Sequence, residues 1–249
     1  MNADFGRAEA LRFGPFCLQS ACIRFDRRQM SLSLEIIRLG RQRYEPVWEI
    51  QRRFQQERIA SLEGGPPAPD RLILVEHEPV FTWGKRTKPE HLGAGPVALA
   101  ALGADTFEVE RGGEVTFHGP GQLVGYPIIY LGDAKCGKDL HKYMRALEQV
   151  CIDVAASYGI KSDRVEGLTG VWVGDNKLAA LGTRVSKWVT LHGFAINVTR
   201  EPLAWFSHVT PCGIKGKGIT SLETLTGHAP PTAEIESRTI AAFCDNFGF

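Results

Sequence analysis

Two segments of the chain carry side chains suited to covalent acyl chemistry. Gly174-Asp175-Asn176-Lys177 puts a lysine just past a turn, at the head of an apolar run. Thr210-Pro211-Cys212-Gly213-Ile214 sets a cysteine between a proline and a glycine. A thiol placed so has its backbone constrained on one side and an unhindered amide on the other. A nearby ammonium lowers a thiol pKa from its reference of about 8.5 and raises the thiolate fraction. If they meet in space, Cys212 and Lys177 form an activated nucleophile for an acyl group. Taken singly, each has a plainer explanation: an exposed hairpin lysine, and a small buried residue beside a turn.

Arg111-Gly112-Gly113-Glu114-Val115-Thr116-Phe117-His118-Gly119-Pro120-Gly121-Gln122 is the densest unusual stretch. Its glycines allow close approach of the backbone to a ligand, and Arg111, Thr116, His118 and Gln122 supply polar groups. The same stretch also reads as a tight hairpin whose glycines satisfy turn geometry. It is not a P-loop, since no G-K-[ST] follows, and it lacks the GxGxxG order of a dinucleotide fold. In Leu191-His192-Gly193-Phe194-Ala195 a histidine and a glycine interrupt an apolar strand. That glycine marks a bulge or a close approach, and His192 by itself reads as a hydrogen-bonded core histidine. Small residues in Ala180-Leu181-Gly182 and Gly193-Phe194-Ala195 suit the walls of a slot for an alkyl chain.

These segments must be positioned by a mixed set of elements. Strands are expected at 31–39, 71–76, 106–110, 170–173, 178–185 and 188–198, the last nearly all apolar and therefore central. Helices are expected at 44–62 and 139–158, the second from the three-four spacing of Leu140, Tyr143, Met144, Leu147, Val150, Cys151 and Val154. Short helices fit 97–102, 202–206 and 221–225, and Thr232 is expected to cap a last helix through Phe247. Gly64-Gly65-Pro66-Pro67-Ala68-Pro69 is a turn-rich connector. Strands and helices do not alternate regularly, which gives an α/β (α+β) class with a mixed sheet flanked by helices.

Composition narrows the function. The chain has 249 residues, 43% hydrophobic and 23% charged, with a formal net charge of +1, so bulk charge draws it to neither nucleic acid nor membrane. No apolar run approaches the roughly 20 residues that span a bilayer. The six cysteines have irregular spacings, without a CxxC or zinc framework, which fits a reduced, cytoplasmic setting. Residues 1–30 carry arginines at 7, 12, 24, 27 and 28, yet Asp4, Glu9 and Asp26 count against a transit peptide. They read as a flexible extension before a single catalytic domain, 31–249. Basic clusters at Lys85 to Lys88, Lys135 to Lys142 and Lys215 to Lys217 are solvated faces or contacts for an acidic partner.

Taken in order, the segments resemble the lipoyl(octanoyl)transferase family of the biotin/lipoate ligase-like superfamily. The resemblance runs through Glu76-His77-Glu78-Pro79-Val80-Phe81-Thr82 with Gly84, Arg111 to Gln122, Gly125-Tyr126-Pro127 and Gly170-Val171-Trp172-Val173. It continues with Lys177 to Gly182, His192-Gly193, Asn197-Val198, Pro211 to Ile214 and Thr220-Ser221-Leu222. It implies that Cys212 takes the acyl group as a thioester and that Lys177 lowers the thiol pKa and assists proton transfer. It also implies substrate binding by Arg111, Gly112, Gly113, Glu114, Val115, Thr116, Phe117 and His118, by Ala180, Leu181 and Gly182, and by Gly193, Phe194 and Ala195. Octanoyl-acyl carrier protein would be the donor. Lipoyl domains of 2-oxoacid dehydrogenase E2 subunits and the glycine cleavage H protein would be the acceptors, with a monomeric enzyme and no cofactor or metal. The amide of Gly213 is a candidate oxyanion donor. The competing expectations are an ATP-dependent lipoate or biotin ligase, a thiol hydrolase, and a binding scaffold without turnover.

Overall fold

Leu72-Ile73-Leu74-Val75 is apolar on both sides of the pleat, as a strand covered on both faces must be. It forms the middle of β3 (Asp70–His77), with Leu72 and Leu74 in one core and Ile73 and Val75 in another. The computed structural model describes residues 19–23, 33–84, 87–93, 95–209 and 217–249. Within them β3 belongs to a mixed nine-stranded sheet. Ahead of it come β1 (Gln19–Ile23), which lies inside the amino-terminal stretch, and β2 (Leu34–Gln42). Beyond β3 the order is β7 (Gln122–Ile128), β11 (Val189–Asn197), β10 (Asn176–Ser186), β9 (Leu168–Val173) and β8 (Asp163–Val165). β12 (Gly218–Ile219) pairs in parallel with the first residues of β10. Only that pair and β2–β3 are parallel among the described ladders of this sheet.

Helix α1 (Tyr44–Leu62) covers one face, over Val124, Tyr126, Leu191 and Ala195. Helices α3 (Leu140–Ala156) and α5 (Thr232–Phe247) cover the other. The Asp139 side chain accepts hydrogen bonds from the amides of His141 and Lys142, so α3 starts where its cap is. Its stripe is buried at Tyr143, Leu147, Val150, Cys151 and Val154, whereas Leu140 in the first turn is 47% exposed. α5 corrects one expectation: Pro231 holds the cap position and Thr232 is already helical. Pro231 keeps a non-helical ψ of 141°, as a residue just outside the first turn does, and caps with no side-chain hydrogen bond.

A three-stranded sheet, β5 (Asp105–Glu108), β4 (Val80–Trp83) and β6 (Thr116–His118), stands beside the first. It shares a third core with α2 (Pro96–Ala101) and a 3-10 helix (Glu201–His208), in which Trp205 stacks on Phe117 at 4.9 Å. Residues 111–122 are therefore not a simple hairpin. β6 pairs with β4, β7 pairs with β3 and β11, and the chain changes sheets at Gly119-Pro120-Gly121. α4 (Leu222–Thr226) follows β12 and is capped by the Ser221 side chain. No helix among the described residues is long and apolar enough to cross a membrane.

β7 is a central strand despite Gly125 and Pro127, residues that normally argue against one. Pro127 has no amide hydrogen, and the β7–β11 register stops at Gly125–Phe194. The pair reconnects where the Thr190 amide donates to Ile129 O at 3.0 Å. Gly125 is required by packing: a Cβ there would lie 2.2 Å from the Phe194 ring.

Candidate active site

Lys177 is placed by a hairpin. Val173 and Asn176 pair across the two-residue Gly174-Asp175 turn, which sets Trp172 directly opposite Lys177. On the other flank Ile219 of β12 opposes Lys177, and the Thr220 amide donates to Lys177 O at 3.0 Å. The Lys177 Nζ lies 4.8 Å from the centroid of the Trp172 ring, and Lys217 Nζ lies 5.4 Å from the same ring. Two lysine side chains thus share one buried indole, whose face attracts cations through the ring quadrupole. Lys217 also pairs with Asp175 at 2.8 Å, and that hydrogen bond holds the Asp175 carboxyl below the usual carboxylate range. Gly170 gives the Lys177 stem its room, since a Cβ there would sit 3.2 Å from Lys177 Cε and 2.9 Å from Ala179 O.

The glycine-rich segment is clamped from inside. The Arg111 guanidinium donates to Thr82 O at 2.7 Å, to Thr82 Oγ1 at 3.0 Å and to Gly112 O at 3.1 Å. The Gly112 amide donates to Thr183 O at 2.9 Å, which ties the segment to β10. Gly182 faces this contact, and a Cβ on it would meet Gly112 O at 3.0 Å. Glu114 lies 2.9 Å from His91 Nδ1.

Three buried histidines line or back the same region. His77 donates from Nδ1 to Gln42 O at 3.1 Å, which leaves Nε2 to accept from the Tyr126 hydroxyl at 2.9 Å. Burial lowers its pKa to about 4, partly opposed by the bond to Gln42. His118 is pushed well below its ordinary value by burial and by the fields of His77 and Arg111. His192 has a φ of 60°, a strained setting for a residue other than glycine. Its amide donates to Gln51 Oε1 at 3.2 Å, and its Nε2 lies 3.8 Å from Glu110. Burial lowers the pKa of His192 as well. Burial pushes the Glu110 carboxyl up, but His192 and Arg52 more than offset this and hold it below the usual range.

These groups surround one cavity of about 870 Å³. Lys177, the segments Ala180 to Gly182 and Gly193 to Ala195, and Arg111 to Thr116 with His118 all line it. Phe117 does not. Side chains alternate along β6, so Thr116 and His118 face the cavity while Phe117 is packed between Phe81 and Trp205. Cys212 and Gly213 lie outside the described residues. Val209 and Lys217, the described residues on either side of that segment, both line the cavity. Trp172, Tyr44 and Tyr126 also line it and were not singled out as binding residues from the sequence. Trp172 had a legible signal, because a two-residue Gly-Asp turn fixes which residue opposes Lys177.

The model of the lipoyl protein ligase A/B catalytic domain matches residues 43–244. The chain belongs to that family. Among its relatives, the octanoyltransferase of Chloroflexus aggregans is 45% identical over 218 residues, covering 86% of this chain and 95% of that protein. The octanoyltransferase of Rubrobacter xylanophilus is 43% identical, covering 87% of this chain and 95% of that one. That of Synechococcus elongatus is 46% identical over 75% of this chain and 76% of its own length. Among solved structures, a putative lipoate protein ligase from T. acidophilum aligns with a TM-score of 0.63 at 12% identity, covering 87% of this chain and 85% of that one. Lipoate-protein ligase A bound with ATP aligns at 0.62 and 12% identity, with coverage of 87% and 85%. At such identity the structures establish the fold, and the family's mixed sheet between helices is the one described above.

Proposed function

We propose that the protein transfers an octanoyl group from octanoyl-acyl carrier protein to the lysine of a lipoyl domain, through a thioester on Cys212. The observation that carries this is the 45% identity to an octanoyltransferase along nearly its whole length. Lys177 on the wall of the cavity is the group that gives the identity a chemistry. The acceptors are lipoyl domains of 2-oxoacid dehydrogenase E2 subunits and the glycine cleavage H protein, and the enzyme acts as a monomer in the cytoplasm.

In the first step the Cys212 thiolate attacks the donor carbonyl. A C–S bond forms to the enzyme, the donor C–S bond breaks, and the departing thiolate is protonated. Donor and enzyme thioesters are nearly equal in energy, so no ATP is consumed. In the second step an amine attacks the enzyme thioester, and the C–N bond forms as the C–S bond breaks. A free lysine has a reference pKa of about 10.4, so the incoming amine needs help to shed its proton. Once Cys212 is acylated, the Lys177 ammonium has lost its counter-charge, gives up its own proton more easily and accepts one from the amine. Arg111 to Thr116, Ala180 to Gly182 and Gly193 to Ala195 form the walls that hold the acyl chain.

The test is the intact mass of the protein after brief incubation with octanoyl-acyl carrier protein without ATP. A gain of one octanoyl group that hydroxylamine removes, absent from Cys212→Ser, is the expected result. No adduct from the donor, with octanoylation appearing only with free octanoate and ATP, would replace the transferase by a ligase.

A further inference from the structure

His118 is joined to the strand that opposes Lys177 by a buried chain of three hydrogen bonds. His118 Nδ1 lies 3.2 Å from Gln122 Oε1, Gln122 Nε2 donates to Asn197 Oδ1 at 2.9 Å, and Asn197 Nδ2 donates to Thr220 O at 3.0 Å. Each side chain in the chain is buried. The polarity of the whole series is fixed at one end. Thr220 O is a backbone carbonyl and accepts only, so Asn197 must turn its amide nitrogen toward it and its oxygen toward Gln122. Gln122 then donates from its own nitrogen and presents Oε1 to the imidazole. An oxygen without hydrogens there requires a proton on His118 Nδ1.

A neutral imidazole protonated at Nδ1 has an unprotonated Nε2. The ring lines the cavity and Nδ1 is engaged, so the lone pair on Nε2 is what the cavity receives. Among the described residues the charged and titratable groups that act on the ring are His77, Arg111 and His192, none of them a carboxylate, and the bond to Gln122, which raises the pKa, does not offset burial. Nothing in that set favours an imidazolium, and His118 remains an acceptor across the neutral range. Whatever binds at Nε2 must be a donor. The octanoyl chain and its thioester carbonyl have no hydrogen to offer, whereas a lysine amine does.

We propose that His118 is the docking point for the acceptor lysine amine, and that Gln122 and Asn197 are positioning residues that lock its tautomer. This rests on the octanoyl-transfer reading above. A hydrogen bond from an amine N–H to Nε2 orients the nitrogen lone pair away from the imidazole, free for attack on an acyl carbon. The hydrogen-bond series runs from the corner where the two sheets meet, through β11, to the residue that follows β12. It couples the amine site to the strand registered beside Lys177.

Two measurements test this. In the protein labelled with nitrogen-15 at histidine, with His118 assigned by comparison to His118→Gln, Nδ1 should be protonated and Nε2 unprotonated at pH 7. A proton on Nε2, in either the other tautomer or the imidazolium, overturns the tautomer lock whatever the enzyme transfers. Gln122→Glu puts a carboxylate beside the ring, charges it and converts Nε2 to a donor. Its KM for the lipoyl-domain acceptor, measured with preformed octanoyl-enzyme, should rise about tenfold at pH 7 and recover as the pH is raised. A loss that is flat with pH would make Gln122 merely structural and overturn the positioning role. If the labelled spectra show the lock and no octanoyl transfer occurs, the functional reading fails and the tautomer assignment does not.

Discussion

Lys177 and Trp172 face one another across the β9–β10 pair, with the ammonium nitrogen 4.8 Å from the indole centroid and the indole 3% exposed. A buried aromatic face attracts the cation through its quadrupole and, unlike a carboxylate, brings no net charge to compete with a thiolate. Trp172→Phe keeps a smaller face and Trp172→Leu removes it. The rate of enzyme acylation in a single turnover should fall a few-fold in the first and about tenfold in the second. Equal rates in all three proteins would show that the ring does nothing for Lys177.

The proposed roles of Lys177 separate by half-reaction. Lys177→Arg keeps a positive charge that lowers a thiol pKa, but guanidinium does not release its proton at neutral pH. Acylation by the donor should therefore fall much less than transfer to the acceptor, which should drop by about 10²- to 10⁴-fold. Lys177→Met should impair both steps. Quenched single-turnover assays of each half-reaction decide this, and equal losses in both steps of Lys177→Arg would remove the proton-transfer role.

The positions of these residues were partly readable beforehand. The helical spacing from Leu140 to Val154 and the apolar run from Trp188 to Val198 led directly to α3 and β11, because burial recurs at the helical period in the first and the second is covered on both faces. β7 did not show itself, since Gly125 and Pro127 break the usual strand pattern. The reason they are tolerated, a phenyl ring over the glycine and a lapsed ladder at the proline, depends on a strand distant in sequence. For the same reason Phe117 was grouped with its neighbours as a binding residue. Which way β6 alternates is set by Trp205, far along the chain. The walls of the cavity were legible as small-residue segments, but the hydrogen-bond series from His118 to Thr220 required three separate strands to come together.

Buried neutral histidines make an acid-sensitive fold. His77, His118 and His192 all have pKa values lowered from 6.5, chiefly by burial, and His77 reaches about 4. Below pH 6.5 the unfolded chain binds protons that the folded chain refuses, so stability falls as the pH falls. For His77 the loss continues until the pH reaches about 4. Each such group contributes a slope of up to about 1.4 kcal/mol per pH unit within its window. Urea midpoints measured between pH 7.5 and about 4.5 should decline. His77→Gln keeps an acceptor for Tyr126 and removes one titrating ring, so its decline should be shallower by about one proton. A slope identical to wild type would mean that His77 titrates alike in both states.

Gly125 and Phe194 should be energetically inseparable. They oppose each other in the β7–β11 register, and the phenyl ring occupies the space a Cβ on Gly125 would need. Both are buried between layers, where neither backbone can retreat far. Gly125→Ala alone overpacks the site and should cost about 1–3 kcal/mol. Phe194→Leu alone opens a hole and should cost a similar amount, about 1–3 kcal/mol. In the double variant the methyl enters space the ring has vacated, so the loss should be smaller than the sum by at least about 1 kcal/mol. Phe194 also lines the cavity, so the double variant should regain stability without regaining the original acyl-chain preference. Chemical denaturation of the four proteins measures the coupling, and strict additivity would mean that the ring moves aside at no cost.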